Sequence, residues 1–295
     1  MIKLILFGGI GNQMFSYAFG RCLALRKGTG LRLSTWAFRN KRSGRRYSLG
    51  NLSLPDDIEI MPLFEGFLLR LGTWSVQKFC NLRKIKPNFF TDKYIYLTDF
   101  DRYEPELMRP DYGKENITVL GGFQTRKYFA DYDSQIRKEF RVSVPPSTEN
   151  AAMIRELSEC ESVCVHVRRG DYLSTRLDVC GYEYYSAAMR YIAGRVNNPV
   201  YYFFSNTHAD IDWLKENWKF PGFNVKYVDL NNPDYEELRL MYSCRHFIIA
   251  NSSFSWWGSY LSDNPVKIVC APSEWSAEKH TEDTNVYLPE WIIIK

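Results

Sequence analysis

The stretch Cys164-Val165-His166-Val167-Arg168-Arg169-Gly170-Asp171-Tyr172-Leu173 carries an apolar run straight into two arginines, a glycine and an aspartate. The two-residue period of a strand puts Val163, Val165 and Val167 on one face and Cys164, His166 and Arg168 on the other. His166 and Arg168 then point the same way at the strand's carboxyl end, where open α/β sheets place their ligands. Around this strand, Ser162 to Val167, the chain reads as a regular alternation. Helix Tyr184 to Val196, strand Val200 to Phe204, helix Ile211 to Trp218 and strand Val225 to Val228 come first. A helix from about Tyr235, strand Phe247 to Ala250, a short helix and strand Val266 to Cys270 follow. Such spacing predicts βαβ crossovers and a parallel, Rossmann-type sheet. Asp234-Tyr235-Glu236-Glu237 reads as a capping box, with Leu238 and Met241 on the core face of its helix.

The first half opens the same way. Ile2 to Phe7 is an expected strand, Gly8-Gly9-Ile10-Gly11-Asn12-Gln13 a loop, and Phe15, Phe19, Leu23 and Leu25 mark an amphipathic helix. Residues 39–93, with the basic run Arg39 to Arg46 and the apolar stretch Leu63 to Leu71, read as an irregular, partly helical insertion. Ile117 to Phe123 is an expected strand and Tyr128 to Phe140 an expected helix. Val144-Pro145-Pro146-Ser147 is the linker candidate. The 295 residues then divide into domains 1–146 and 147–295, ordinary sizes for single cores.

A net charge of +4 is too small to argue for nucleic acid and suits an anionic small molecule better. Seven irregularly spaced cysteines form no disulfide framework, which points to the reducing cytoplasm. Cys160, Cys164, His166 and Cys180 lack zinc-ligand spacing and read as buried small side chains. The opening Met-Ile-Lys-Leu-Ile-Leu-Phe-Gly-Gly is a strand and turn rather than a signal peptide, and no apolar run approaches a membrane span.

Three segments carry chemistry. The glycine loop is neither a P-loop nor a dinucleotide fingerprint, because no Lys-Ser or Lys-Thr follows and Met14 stands where a glycine is needed. Gly9 and Gly11 still admit a ligand to the backbone, and Asn12 and Gln13 stand at a helix start that favours negative charge. The alternative is a tight turn with an Asn cap. Arg168 and Arg169 can grip phosphate through paired charge-assisted hydrogen bonds, with Gly170 letting the loop close. Their alternative is a surface ion pair between Arg169 and Asp171. Asn251-Ser252-Ser253-Phe254-Ser255-Trp256-Trp257-Gly258 turns from a strand into a helix whose serines and amides suit phosphate, or which is simply a serine cap before two core tryptophans. Together they suggest a nucleoside diphosphate.

Five segments in order resemble the motifs of bacterial α-1,2-fucosyltransferases, glycosyltransferase family 11. They are G-G-I-G-N-Q-M-F-S-Y-A-F-G-R from Gly8, L-G-G-F-Q-T-R-K-Y-F from Leu120, V-H-V-R-R-G-D-Y from Val165, Y-Y-F-F-S-N from Tyr201, and L-M-Y-S-C-R-H-F-I-I-A-N-S-S-F-S-W-W-G from Leu240. The resemblance implies an α/β fold of GT-B type, two Rossmann-like lobes with a nucleotide-sugar cleft. It implies transfer from GDP-β-L-fucose to the 2-hydroxyl of a β-galactoside, with inversion and no metal. It makes Arg168 the diphosphate ligand and His166 the histidine near guanine. Asn12 becomes the asparagine of the glycine loop and Ser253 to Ser255 the phosphate-binding helix start, while Asp171 is the candidate base. Related chains carry an acidic pair after the third strand. Here Asn206 stands in that place, so Asp210 supplies the carboxylate for guanine if the loop runs three residues longer. Partners are then GDP-fucose and a glycan, with no nucleic acid, and Arg39 to Arg46 leaves room for peripheral contact with a membrane-bound lipid-linked glycan. Rival readings are a non-catalytic carbohydrate- or nucleotide-binding module and a transferase of another nucleotide sugar.

Overall fold

The computed structural model describes residues 1–39, 44–82, 89–280 and 284–295. It divides into two compact units, Met1–Ser143 and Val144–Lys295, each built on its own six-stranded sheet.

In the first unit β1 (Ile2–Ile5) leads into α1 (Ile10–Arg26), then β2 (Leu31–Ser34), β3 (Glu59–Ile60), α2 (Leu63–Leu82), β4 (Phe89–Phe90), β5 (Tyr94–Leu97) and β6 (Ile117–Gly121). The sheet order is β3-β2-β1-β6-β5-β4, parallel throughout except where β4 runs against β5. The insertion read as irregular and partly helical does hold a helix, α2, and also two strands that were not expected. Of residues 39–93, β3 is one sheet edge, β4 the other, and α2 runs eleven residues past the predicted apolar stretch. Asn40 to Ser43 of the basic run lie outside the described residues. The expected helix Tyr128 to Phe140 is α3 over Asp133–Glu139 only, after two short 3-10 turns.

The second unit begins with α4 (Thr148–Ser158), which the sequence reading did not name, capped by Ser147 accepting from the Asn150 amide at 3.2 Å. Then come β7 (Ser162–Val167), α5 (Tyr182–Ala193), β8 (Val200–Ser205), α6 (His208–Asn217), β9 (Asn224–Tyr227), α7 (Asp234–Ser243), β10 (His246–Ile248), α8 (Ser253–Leu261) and β11 (Val269–Pro272). A small antiparallel pair, β12 (Glu274–Ser276) and β13 (Lys279–His280), and the unforeseen β14 (Ile292–Ile294) finish the chain. The order β14-β11-β10-β7-β8-β9 is parallel throughout. Every residue of β7 and β8 is buried, as expected for central strands covered on both faces by crossover helices. Val163, Val165 and Val167 pack with Tyr185, Ala188 and Met189 of α5 and Ile211 and Leu214 of α6.

The predicted capping box does not form. Pro233 is the N-cap of α7 and makes no side-chain cap, so Asp234 is the first helical residue. Leu238 and Met241 are fully buried as expected.

The first unit also holds a buried charge network. Glu139 accepts from the Tyr17 hydroxyl at 2.7 Å and pairs with Arg21 Nε at 3.1 Å, while Arg21 reaches Asp57 at 3.2 Å. Glu139→Ala leaves a buried guanidinium with only its more exposed partner. We expect a loss of about 3 kcal/mol, read as a lower urea midpoint with an unchanged slope.

Candidate functional site

In a parallel sheet the strand order reverses where the chain returns to the middle, and the loops on either side of that point separate to leave a crevice. The reversal falls between β1 and β6 in the first unit and between β7 and β10 in the second. The motif residues sit at these two points.

At the second unit's reversal, β7 pairs with β8 so that Val167 lies opposite Ser205, whose hydroxyl donates to the Val167 carbonyl at 2.9 Å. The next residues, Arg168 and Asn206, therefore emerge side by side. Arg168 Nη1 donates to Asn206 Oδ1 at 2.7 Å, and Nη2 reaches both carboxylate oxygens of Asp171 at 2.8 and 3.0 Å. Its guanidinium lies 4.8 Å from the Tyr172 ring centre, and its Nε has no partner. The ion pair in this loop is Arg168–Asp171, not the Arg169–Asp171 pair weighed from the sequence. Arg169 turns the other way, 3.2 Å from the Trp213 ring centre on α6. Gly170 turns the loop at φ +38°, backbone that other residues rarely adopt, and a Cβ there would find room, 3.8 Å from Asn206 Nδ2 and from Asp210 Oδ2.

His166 is 1% exposed, and neither ring nitrogen has a hydrogen-bond partner. Burial first and Arg168 second push its pKa down to about 3, so the imidazole is neutral. Its ring meets Phe254 edge-on at 5.7 Å. Two unpaired nitrogens on a buried ring are unusual and mark a place where a ligand's polar groups would fit.

Around α8 the serines divide. Ser252 is the N-cap, accepting from the Phe254 amide at 3.3 Å, and Ser253 opens the helix. Ser255, fully buried, donates back to the carbonyls of Ala250 and Ser252 at 3.0 and 3.1 Å, which removes it from the ligand side. Asn251 clamps the Leu177 and Trp275 carbonyls at 2.9 and 3.0 Å, and both Trp256 and Trp257 are core.

Asp210 does not sit in an extended loop. It belongs to the first turn of α6, where its amide donates to Thr207 Oγ1 at 3.1 Å and its Oδ2 accepts from that hydroxyl at 2.9 Å. This reciprocal cap ties the carboxylate down.

Glu237 was missed by reading the sequence. This half-buried carboxyl on α7 is pushed up to about 7, by burial first and by Asp234 next, while Arg168 and His208 pull it down. It therefore stands within the field of Arg168.

At the first unit's reversal Gly9 is the N-cap of α1, and the Asn12 and Gln13 amides both donate to its carbonyl, at 3.0 and 3.1 Å. Both amides are thus engaged within the first turn, whereas the helix start was expected to offer them to a negative group. Gly8 sits at φ +73°, backbone that other residues rarely adopt, and a Cβ there would also crowd the Asn12 side chain, its Nδ2 at 2.7 Å and its Cβ at 3.1 Å. Gly11 is buried in the first turn of α1. Gln13 is fully buried and holds the loop in place. Its Nε2 donates to the carbonyls of Gly8 and Arg46 at 3.1 and 2.8 Å, and its Oε1 accepts from the Ser48 amide at 3.1 Å. Asn12 Oδ1 accepts from Gln124 Nε2 at 3.0 Å, joining the loops that follow β1 and β6. Among the described residues no three His, Cys, Asp or Glu side chains gather as a metal site.

The sequence profile of glycosyl transferase family 11 matches residues 1–295. The chain belongs to this family. Among family 11 relatives, an α-1,2-colitosyltransferase of Escherichia coli is 28% identical over 304 residues, which cover 98% of this chain and 97% of that protein. The O-antigen biosynthesis glycosyltransferase WbnK of Escherichia coli is 27% identical over 315 residues, 97% of each chain. A solved structure of an Arabidopsis thaliana FUT1 mutant in complex with GDP superposes with a TM-score of 0.52 at 14% identity, covering 93% of this chain and 71% of that one. That likeness concerns the fold, which is GT-B with two Rossmann-like units.

The raised Glu237 pKa gives this family 11 chain a pH signature. A carboxyl that ionises at about 4.5 when unfolded and about 7 when folded costs stability as pH rises across that window. Glu237→Gln should therefore be more stable than the parent by about 1–2 kcal/mol at about pH 8, with the gap closing near about pH 5. Thermal unfolding at the two pH values checks the sign.

Proposed function

We propose that this glycosyltransferase transfers L-fucose from GDP-β-L-fucose to the 2-hydroxyl of a terminal β-galactoside, forming an α-linkage. The observation that carries the reading is the constellation at the second unit's strand reversal. There a guanidinium held by Asn206 and Asp171 stands beside a buried neutral imidazole with both nitrogens unpaired and the start of α8. Relatives named for α-1,2-colitosyl and α-1,2-fucosyl transfer support the linkage and sugar class.

As the anomeric bond lengthens, negative charge gathers on the β-phosphate, and a fixed guanidinium stabilises that state more than the ground state. Arg168 supplies the guanidinium. The diphosphate then competes with Asp171 for Nη2, so donor binding frees the Asp171 carboxylate, which must be released before it can accept the acceptor's proton. His166 and the α8 start with Ser252, Ser253 and Phe254 take the nucleotide, while Asp210 reaches the base only by giving up its cap on Thr207. Asn12, held by Gln124, is the first unit's candidate contact to substrate. Arg169 and Ser255 lose direct roles, and Gly9, Gly11 and Gln13 act by shaping the loop.

Arg168→Lys keeps the charge but cannot span Asn206 and Asp171 or present two parallel donors. We expect kcat to fall on the order of 10²-fold or more; a near-parental rate would overturn Arg168 as the group that stabilises the diphosphate, and absence of turnover in the parent itself would favour the non-catalytic reading.

Donor and stereochemistry are checked together by offering GDP-β-L-fucose, GDP-colitose and UDP-sugars with lactose in excess EDTA. Colitose lacks only the fucose 3-hydroxyl, so the ratio of the two rates measures what that hydroxyl contributes. We expect turnover without metal and, by proton NMR, an α-fucosyl galactoside substituted at the 2-hydroxyl. A β-anomeric signal would refute inversion, and restoration only by manganese or magnesium would refute metal independence.

A further inference from the structure

Helix α2 is apolar on both its inner and its outer side. Its inner side is set by Gly66, where a Cβ would meet Ser34 Oγ at 2.7 Å, and by Leu69, which packs on Ile5, Tyr96 and Leu120. The outer side of the same helix is apolar as well. Leu63, Phe64, Leu68, Leu71, Trp74 and Leu82 are all exposed, Phe64 by 71% and Leu82 by 75%. Leu63, Phe64, Leu68, Leu71 and Trp74 recur at helical spacing and make one strip over the first three turns, with Leu82 at the far end of the helix, rather than the scattered apolar residues that any surface carries.

The charge beside this strip has one sign. The single acidic residue of α2, Glu65, is turned to the sheet and pairs with Lys3 at 3.0 Å and Arg32 at 2.9 Å. The helix cations Arg70 and Lys78 make no ion pair among the described residues, and Lys78 lies 5.2 Å from the Trp74 ring centre. Arg39 sits over Trp36 at 4.6 Å. Trp36, Ala37, Arg39 and Arg70 line a cavity of about 550 Å³ at the side of the helix, with two guanidiniums in its wall.

We propose that the outer face of α2 docks on an anionic lipid bilayer, its apolar side chains entering the headgroup layer and the Arg39–Arg70 cavity taking a lipid phosphate. Tryptophan beside lysine is suited to that boundary, with an apolar body and a polar edge. A basic, apolar-faced helix of this length lies in the interface plane rather than crossing it, and no described helix is long and apolar enough to span. Charge selects the bilayer over a second copy. A two-fold pairing of this face with itself would set like cations against like, whereas anionic headgroups neutralise them. The surface does not depend on which sugar the enzyme transfers.

The test is flotation of the full chain with vesicles of phosphatidylcholine alone or with about 30 mol % phosphatidylglycerol. We expect at least about tenfold tighter binding to the anionic vesicles, largely lost in about 0.5 M NaCl. Phe64→Ser with Leu68→Ser, and Arg39→Gln with Arg70→Gln and Lys78→Gln, should each abolish it. Val266→Ser, which removes an exposed apolar side chain in the other unit, should not. Thermal unfolding confirms that each variant is folded. Absence of flotation, equal binding to both vesicle types, or full binding by the folded Phe64/Leu68 variant each overturns the proposal. So does a dimer seen by light scattering that this variant dissolves while vesicles bind neither form.

Discussion

The second unit is organised around a guanidinium at the end of a strand that has no exposed residue. Arg168 leaves the end of β7 two residues after a buried imidazole and on the same face, and a cation in that position needs compensation from its surroundings. Its two η nitrogens find it in Asn206 and Asp171, and its face finds it in Tyr172. Those partners arrive from separate places: Asn206 by the register of β8 against β7, Asp171 and Tyr172 by the turn at Gly170. The register in turn depends on burying both faces of the two strands. Strand packing and the electrostatics of the site are therefore one constraint, and a slip of β8 by one residue would cost both.

Much of this was legible. Alternation alone placed His166 and Arg168 on one side, but the reading of Arg168 and Arg169 as a joint phosphate grip did not carry the same alternation one residue on, and Arg169 lies instead on Trp213. Strands β7 to β11 were found from apolar or alternating runs between turn signals, although their ends shift by a few residues, whereas β12, β13 and β14 were not expected. Helix α2 was not found because both of its sides are apolar. Gly66 and Leu69 face in while Phe64, Leu68 and Trp74 face out, which erases the one-sided period that marks a surface helix. Thr207 followed three residues later by Asp210 was a helix-start signal in plain view. The expected helix begins only at Ile211, which assigns Asp210 to a longer loop, whereas Thr207 caps α6 and places Asp210 in its first turn. Glu237 went unnoticed because a glutamate in a first turn is read as a cap, and only packing shows that burial raises its pKa. The three-residue strands β10 and β14 carry too little pattern to be bounded from sequence.

The first unit shows where backbone geometry rather than charge is limiting. Gly8, Gly121 and Gly122 each stand where a Cβ would meet another atom at less than 3 Å, and the non-glycine Phe123 is held at φ +49° with its ring stacked on Phe19 at 3.9 Å. An aromatic in that conformation is held by its packing. The stack fixes the loop that carries Gln124, and through Gln124 it fixes Asn12.

The pairing of β1 with β6 also sets a timetable for synthesis. Ile2 lies beside Ile117, so the strand made first waits for nearly the whole unit before gaining its inner neighbour. At about 5–20 residues per second that wait is on the order of ten seconds. During it, β2 can cover only one edge of β1, and the apolar face of α1 has no completed sheet to rest on. The nascent chain thus presents Phe15, Phe19 and Leu23 to whatever holdase attends the ribosome exit, and it is the arrival of Ile117 to Gly121 that ends the exposure.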